Sequence, residues 1–292
     1  MTATVSPVEL CRRLTRVNIA YTVARMKVIE ARSGQPVEVR RFGDAAALMA
    51  RQVPSPHFNA VVGLRGGQEN LVGELDDWYR ANDINGRFVI APGDLTPELG
   101  RALAARGYAQ TDFDTVLYAA PPTAAAHDPE KAWPRLDRGW IPVFGKDHAQ
   151  NKADAPSGIV AVDSPAVMDE FLDALLSGWG IPREHRAGAK ANMAGWLGVP
   201  AFHLYLIRID GRPAAAAKLF LHDRVGYFPD AATDPDFRGR GLQTALLQHR
   251  SVIAAQSGAE LIYSQAAFGS TSHRNMERVG LRVLCTRSIW TR

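Results

Sequence analysis

The sequence predicts an α/β (α+β) protein made of two related domains, and three observations carry that prediction. The chain has 292 residues, about twice the usual ~100–150 of a single domain. An ordered run of strand, helix, strand, helix and strand signals can be traced twice, once on each side of a Pro-rich and polar stretch between Pro121 and Ser157. The composition, 46% hydrophobic and 22% charged, is that of a globular core with an ordinary surface. The expected boundaries are 1–120 for the first domain, 121–156 for a linker or inter-domain arm, and 157–292 for the second domain.

In the first domain His57 to Leu64 reads as a strand, Glu69 to Ala81 as a helix and Phe88 to Ile90 as a strand. Pro97 to Arg106 is a helix that stops at Gly107, and Asp114 to Ala119 is a closing strand. The arm carries Pro121-Pro122, an alanine run, His127-Asp128-Pro129 and a polar tract from Lys146 to Asp154. Trp133, Trp140, Ile141, Val143 and Phe144 interrupt it, so part of it is expected to pack against a domain.

In the second domain Ser164 to Gly178 has apolar residues at helical spacing behind a Ser-Pro start. Phe202 to Ile209 alternates and ends at Asp210-Gly211, a hairpin signal, and Ala214 to Leu221 resumes as a second strand. Tyr227 to Thr233 is a third strand, stopped by Pro235. Gly241 to Ala255 returns to helical period and ends near Gly258. Leu261 to Ala266, Ser272 to Val279 and Leu281 to Trp290 then read as strand, helix and strand.

Several function classes drop out. No stretch reaches the ~18 uninterrupted apolar residues of a membrane span. Met1 to Arg16 mixes Glu9 and three arginines with short apolar runs, unlike a signal peptide, so a cytoplasmic protein without a membrane partner is expected. The net charge is +4 and the arginines are scattered, which argues against a nucleic-acid partner. Cys11 and Cys285 lie far apart in sequence, with neither disulfide-framework nor metal-ligand spacing; reduced, structural thiols and no metal are expected. Nothing in the sequence fixes the oligomeric state.

The stretch with chemistry in it is Thr233 to Gln248, where a strand end, a Pro turn, a basic Gly-containing loop and a helix start follow one another. Amides at a helix N-terminus are unpaired, the dipole adds about half a positive charge, and glycines let the backbone approach an anion closely. Arg238 and Arg240 add charge. The run Arg238-Gly239-Arg240-Gly241-Leu242-Gln243-Thr244 resembles the Arg/Gln-x-x-Gly-x-Gly/Ala acetyl-CoA loop of the GNAT N-acetyltransferase superfamily, with Gln243 replacing Gly or Ala at the sixth position. Thr233-Asp234-Pro235 matches the lead-in to that loop.

The resemblance covers about residues 157–292 and implies a mixed, mostly antiparallel central sheet flanked by helices, in tandem copies of which the first is degenerate. It implies acetyl-CoA as the cofactor, with its pyrophosphate on Arg238, Gly239, Arg240, Gly241, Leu242, Gln243 and Thr244. The pantetheine would lie along Ala231, Ala232 and Thr233, and Ser272 and Asn275 would make further contacts. A small-molecule primary amine is the implied acceptor. Asp230, in the strand before the loop, is the candidate general base. The tyrosine that often protonates the leaving thiolate is replaced by Met276, leaving Tyr227, Tyr263 or water for that task. Trp179 to His185 falls where the superfamily has its variable acceptor loop. The alternative is a domain that binds acetyl-CoA without turnover. At the corresponding loop of the first copy, Gly63 to Asn70, acidic residues including Glu74, Asp76 and Asp77 follow on the helix; their charge is expected to occupy the helix start and repel a pyrophosphate.

Overall fold

A computed structural model describes residues 5–53, 55–122 and 158–292. The inter-domain arm and the expected packing of its tryptophans therefore lie, apart from Pro121 and Pro122, outside the described residues. What is described is a mixed, mostly antiparallel central sheet with helices on both faces.

The chain opens with a helix that the sequence reading missed, α1 (Pro7–Ser33). Ser6 caps it by accepting a hydrogen bond from the Glu9 amide at 3.2 Å, Pro7 begins it, and Gly34 at φ 66° ends it. A hairpin follows, β1 (Glu38–Phe42) and β2 (Ala45–Met49), also unread in the sequence because β2 is buried on both faces and does not alternate. Then come β3 (Ala60–Val62), α2 (Asn70–Arg80), β4 (Arg87–Ile90), α3 (Pro97–Ala105) and β5 (Ala109–Ala119). The strand expected over 57–64 shrinks to β3, and the closing strand begins earlier than its expected start at Asp114.

The second half begins at a short strand β6 (Ile159–Ala161), followed by α4 (Pro165–Gly178) and α5 (Arg183–Met193). Most of the segment expected as an acceptor loop, Trp179 to His185, is the junction of these two helices; α5 itself buries no residue, so it left no apolar period to find. A 3-10 turn at Ala194–Gly198 leads to β7 (Phe202–Ile209), β8 (Arg212–His222), β9 (Val225–Phe228) and β10 (Ala231–Thr233). After them lie α6 (Leu242–Gln256), β11 (Leu261–Ala266), α7 (Thr271–Arg278) and β12 (Arg282–Thr291).

All twelve strands of the described residues belong to one sheet, in the order β1-β2-β3-β4-β12-β5-β11-β9-β8-β7-β6, with β10 also on β8. The middle of that order is an exchange. β5 of the first half lies between β12 and β11, and β12 of the second half lies between β4 and β5. Each half thus completes the other's sheet, and the two exchanged strands pair with each other over most of their lengths. Arg287 and Asp114, opposite each other in that pairing, form an ion pair across the seam. Arg292 reaches the fully buried Asp76 on α2.

Helix α1 explains its own illegibility. Leu14, Val17 and Tyr21 enter a core with α4 and strands β7 to β9, whereas Ile19, Met26 and Ile29 enter another with β2, β3 and Val89. A helix packed against two cores is apolar around most of its circumference and shows no single stripe. The cysteines meet here as well: Cys11 Sγ on α1 lies 2.8 Å from Cys285 Sγ on β12, where the sequence had kept them apart.

Candidate functional site

Strand β9 runs parallel to β11 from Val225 to Phe228 and antiparallel to β8. Pro229 then interrupts the ladder, since it has no amide hydrogen to donate. Beyond it β10 stays with β8, Ala231 to Thr233 facing Ala217 to Ala215, while β11 continues beside β5. The strand expected over 227–233 is therefore two, and a wedge opens between β10 and β11. Among the described residues no strand pairs with the wedge side of β10, so its main chain there is available to a ligand.

At the end of the wedge is the Gly-containing loop. Gly239 and Gly241 have φ of 78° and 74°, the left-handed region that β-carbons disfavour, and nothing lies within 4 Å of where a Cβ would stand on either. The first bond inside α6 runs from the Ala245 amide to the Gly241 carbonyl at 3.0 Å. Among the described residues no group accepts from the amides of Gly239 through Thr244. A row of unengaged donors at a helix start, in open space, fits a phosphate group.

The side chains around this row divide the work. Arg238 turns back, donating to the Gly178 carbonyl at 3.1 Å and the Thr233 carbonyl at 3.4 Å, and so ties the loop to the end of α4. Arg240 remains exposed with its guanidinium 5.3 Å from the Phe237 ring. Gln243 does not crowd the loop: its amide donates to Ser272 Oγ at 3.1 Å and accepts from Asn275 Nδ2 at 2.6 Å. Three of the expected contact residues are thus joined in one relay between α6 and α7, with Arg278 bound to Asn275 at its end. Beside the loop's lead-in, Asp173, Ser177, Arg183, Arg186, Arg212 and Asp234 line a polar cleft of about 380 Å³.

Asp230, at the mouth of the wedge, is not the free carboxylate expected of a base. Lys218 Nζ lies 2.8 Å from its Oδ2, and the Tyr21 hydroxyl of α1 donates to the same oxygen. Lys218 also donates to Tyr21 at 2.9 Å and stands 3.1 Å over the Trp196 ring. Burial alone would raise the Asp230 carboxyl, but the charges of Lys218 and Arg25 and the bonds from Lys218 and Tyr21 outweigh it and hold it well below the usual range. A carboxylate with so little affinity for a proton is a poor general base and a good fixed negative charge. Burial pushes the Lys218 ammonium down to about 7. Sequence reasoning missed Tyr21, Trp196 and Lys218; the spacing of Asn18, Tyr21 and Arg25 along one face of α1 is the signal that was available.

The proton-donor candidates also separate. Met276 is buried against α6 and β11. Tyr263 donates to the Leu14 carbonyl at 3.2 Å and is fully enclosed. Tyr227 stacks on Tyr263 at 4.4 Å, with its hydroxyl 3.3 Å from Gln265 Oε1 and 3.4 Å from Asn18 Nδ2. Burial first, then the charges of Asp230 and Asp114, raise the Tyr227 hydroxyl, which stays protonated.

In the first half the corresponding loop is differently employed. The Gly66 amide donates to the Asp94 carbonyl at 3.0 Å, Gly67 to Glu69 Oε1 at 2.8 Å and Arg65 to Gln68 Oε1 at 3.1 Å. The carboxylate at the loop is that of Glu69; Glu74, Asp76 and Asp77, expected to act there, are instead turned to Arg40, to Arg80 and Arg292, and to Arg106 respectively.

Residues 165–280 match the Acetyltransferase (GNAT) family, whose members transfer acyl groups from acetyl-CoA. No curated protein sequence matches the chain. Among solved structures, the fold is similar to that of a GCN5-related N-acetyltransferase from Kribbella flavida, at 14% identity and a TM-score of 0.58 over 93% of this chain and 94% of that one. A GCN5-related N-acetyltransferase from Sphaerobacter thermophilus gives 16% and 0.54 over 80% and 71%. A tandem GNAT protein from the clavulanic acid biosynthesis pathway gives 14% and 0.53 over 88% and 83%.

Proposed function

We propose that the protein is an acetyl-CoA-dependent N-acetyltransferase that acetylates the primary amine of a small molecule by direct attack in a ternary complex. The observation that carries this reading is the row of unengaged amides from Gly239 to Thr244, opened by two left-handed glycines at the end of the β10–β11 wedge. Residues 157–292 are assigned the catalytic role, residues 1–120 the role of shaping the acceptor side through α1, and 121–156 that of the connection.

The amides and Arg240 would hold the diphosphate, and Arg238 holds the loop that presents them. The main chain of Ala231, Ala232 and Thr233 would receive the pantetheine amides. Ser272 and Asn275, positioned through Gln243, would flank it. Acetyl-CoA supplies an activated acyl carbon: a bond forms from the amine nitrogen to that carbon, the carbon–sulfur bond breaks, the amine loses a proton and the thiolate gains one. Asp230, kept ionised, stabilises the positive charge that develops on the attacking nitrogen. The amine's proton passes to water and water returns one to the thiolate, since burial holds the Tyr227 hydroxyl well above its usual range and makes it a poor donor.

Calorimetric titration with acetyl-CoA, followed by thiol release with a panel of amines, tests the reading. Gly241→Val places a β-branched side chain at φ 74° and in the cradle; affinity for acetyl-CoA is expected to fall about tenfold or more. Binding unchanged by this substitution, or no binding by the native protein, refutes the site. Met276, standing where a proton donor is common, favours the second reading, a domain that binds acetyl-CoA without turnover; thiol release with any amine removes it.

A further inference from the structure

Behind Asp230 lies a positive charge with no carboxylate partner among the described residues; the neighbour that can accept from it is the Tyr21 hydroxyl. The Arg25 guanidinium is 4.6 Å from the Phe58 ring and 5.4 Å from each of the Tyr21 and Trp196 rings. Its Nε is buried and has no hydrogen-bond acceptor. No carboxylate of the described residues is within ion-pair distance of it, because Asp230, whose charge reaches it, is bound by Lys218 and Tyr21. Arg250 donates to the Leu246 and Lys218 carbonyls at 3.0 and 2.8 Å, and Arg287, whose Nε likewise has no acceptor, is paired with Asp114. Counted over the cluster, two cationic side chains, Arg25 and Lys218, face one carboxylate, Asp230.

Arg25 is partly buried, and a guanidinium partly withdrawn from water without an anion is unfavourable, a loss only partly offset by the aromatic faces. They also fix the plane of the guanidinium, which is what a two-pronged interaction with a carboxylate requires. Arg25 stands four residues after Tyr21, hence one turn, about 5–6 Å, farther along the same face of α1. The Arg25 guanidinium, 5.4 Å from the Tyr21 ring, thus stands beside the Tyr21–Asp230 contact, where one ligand can meet both.

We propose that Arg25 anchors a carboxylate of the acceptor, so that the amine acetylated at this site belongs to an amino acid or a carboxylate-bearing derivative of one. The assignment rests on the transferase reading for the word acceptor, but the anion site stands on its own geometry. Asp230 faces the amine, Arg25 the carboxylate, and the aromatic rings of Phe58 and Trp196 exclude water between them. A bound carboxylate also stabilises the Lys218 ammonium across the Tyr21 ring, so binding near neutral pH takes up a proton.

The test pairs each of the common L-amino acids with its amide and its decarboxylated amine, titrated calorimetrically into the full chain without acetyl-CoA, then used as acceptors in thiol release. At least one carboxylate form is expected to bind about tenfold or more tightly than its amide, with a heat that varies with the ionisation enthalpy of the buffer. Arg25→Met abolishes the difference while acetyl-CoA affinity is unchanged; Arg25→Lys restores part of it. Equal binding within every pair, no binding of any member, or a preference that survives in a folded Arg25→Met variant overturns the inference. If the methionine variant does not fold, the native pairs and the lysine variant decide. Loss of acetyl-CoA binding in the native protein would overturn the transferase reading separately, leaving the titrations without acetyl-CoA to decide on Arg25.

Discussion

At the scale of single residues, Lys218 is the group whose state depends most on its surroundings. Arg25 and Tyr21 face it from α1, Trp196 from the 3-10 turn and Asp230 from the β9–β10 junction. Its ammonium titrates at about 7 in the folded chain against 10.5 for the free side chain. Between those values the folded chain binds fewer protons than the unfolded chain, so stability rises with pH across that window. Urea midpoints measured at pH 6.5 and pH 9 are expected to increase for the native protein, and Lys218→Met is expected to lose the increase. A flat native profile would mean that Lys218 keeps its proton throughout. The cysteines give a second expectation. With sulfurs 2.8 Å apart, the Cys11 thiol is held low and the Cys285 thiol high by their mutual contact. Treatment with a diazene oxidant should couple them, the oxidant taking both hydrogens, and remove both free thiols. The crosslink is expected to stabilise the fold by about 2–4 kcal/mol. Thiol titration and thermal melting of the native protein and of Cys285→Ala check both effects.

At the scale of elements, the phosphate cradle was legible because every part of it is local. Strand end, Pro235, two glycines and an apolar helical period follow one another within about one strand and one turn of helix, and the chain has little choice of shape there. Helices α2, α3, α4, α6 and α7 were legible by their buried stripes. Helix α1 was not, since it serves two cores, and α5 was not, since it serves none. The charge cluster was illegible for a different reason: Tyr21, Trp196, Lys218 and Asp230 come from four separate stretches, and only tertiary packing makes them neighbours. The role of α1 in that packing is open to test. Tyr21→Phe removes one donor to Asp230 and is expected to cost about 1–3 kcal/mol and to slow thiol release while leaving acetyl-CoA affinity alone. An unchanged rate would detach α1 from the chemistry.

At the scale of the whole molecule, no pattern within either half announced the strand exchange, because the partners of β5 and β12 are remote in sequence. The repeated order of elements was visible, but the pairing between repeats was not. Segments 1–122 and 157–292, produced separately, are each expected to be aggregated or only loosely ordered. Produced together they should copurify and bind acetyl-CoA. A monomeric, cooperatively melting 157–292 segment that binds acetyl-CoA would show that β5 is dispensable to the site.

The exchange also sets an order of events during synthesis. Strand β4, residues 87–90, finds its second neighbour only in residues 282–291, so the sheet of the first half remains open at one edge while nearly all of the rest is translated. Its early neighbours can form, but closure waits on a contact of very long range, the kind that slows folding and leaves an edge exposed to strangers. On the ribosome, then, the half made first is finished last.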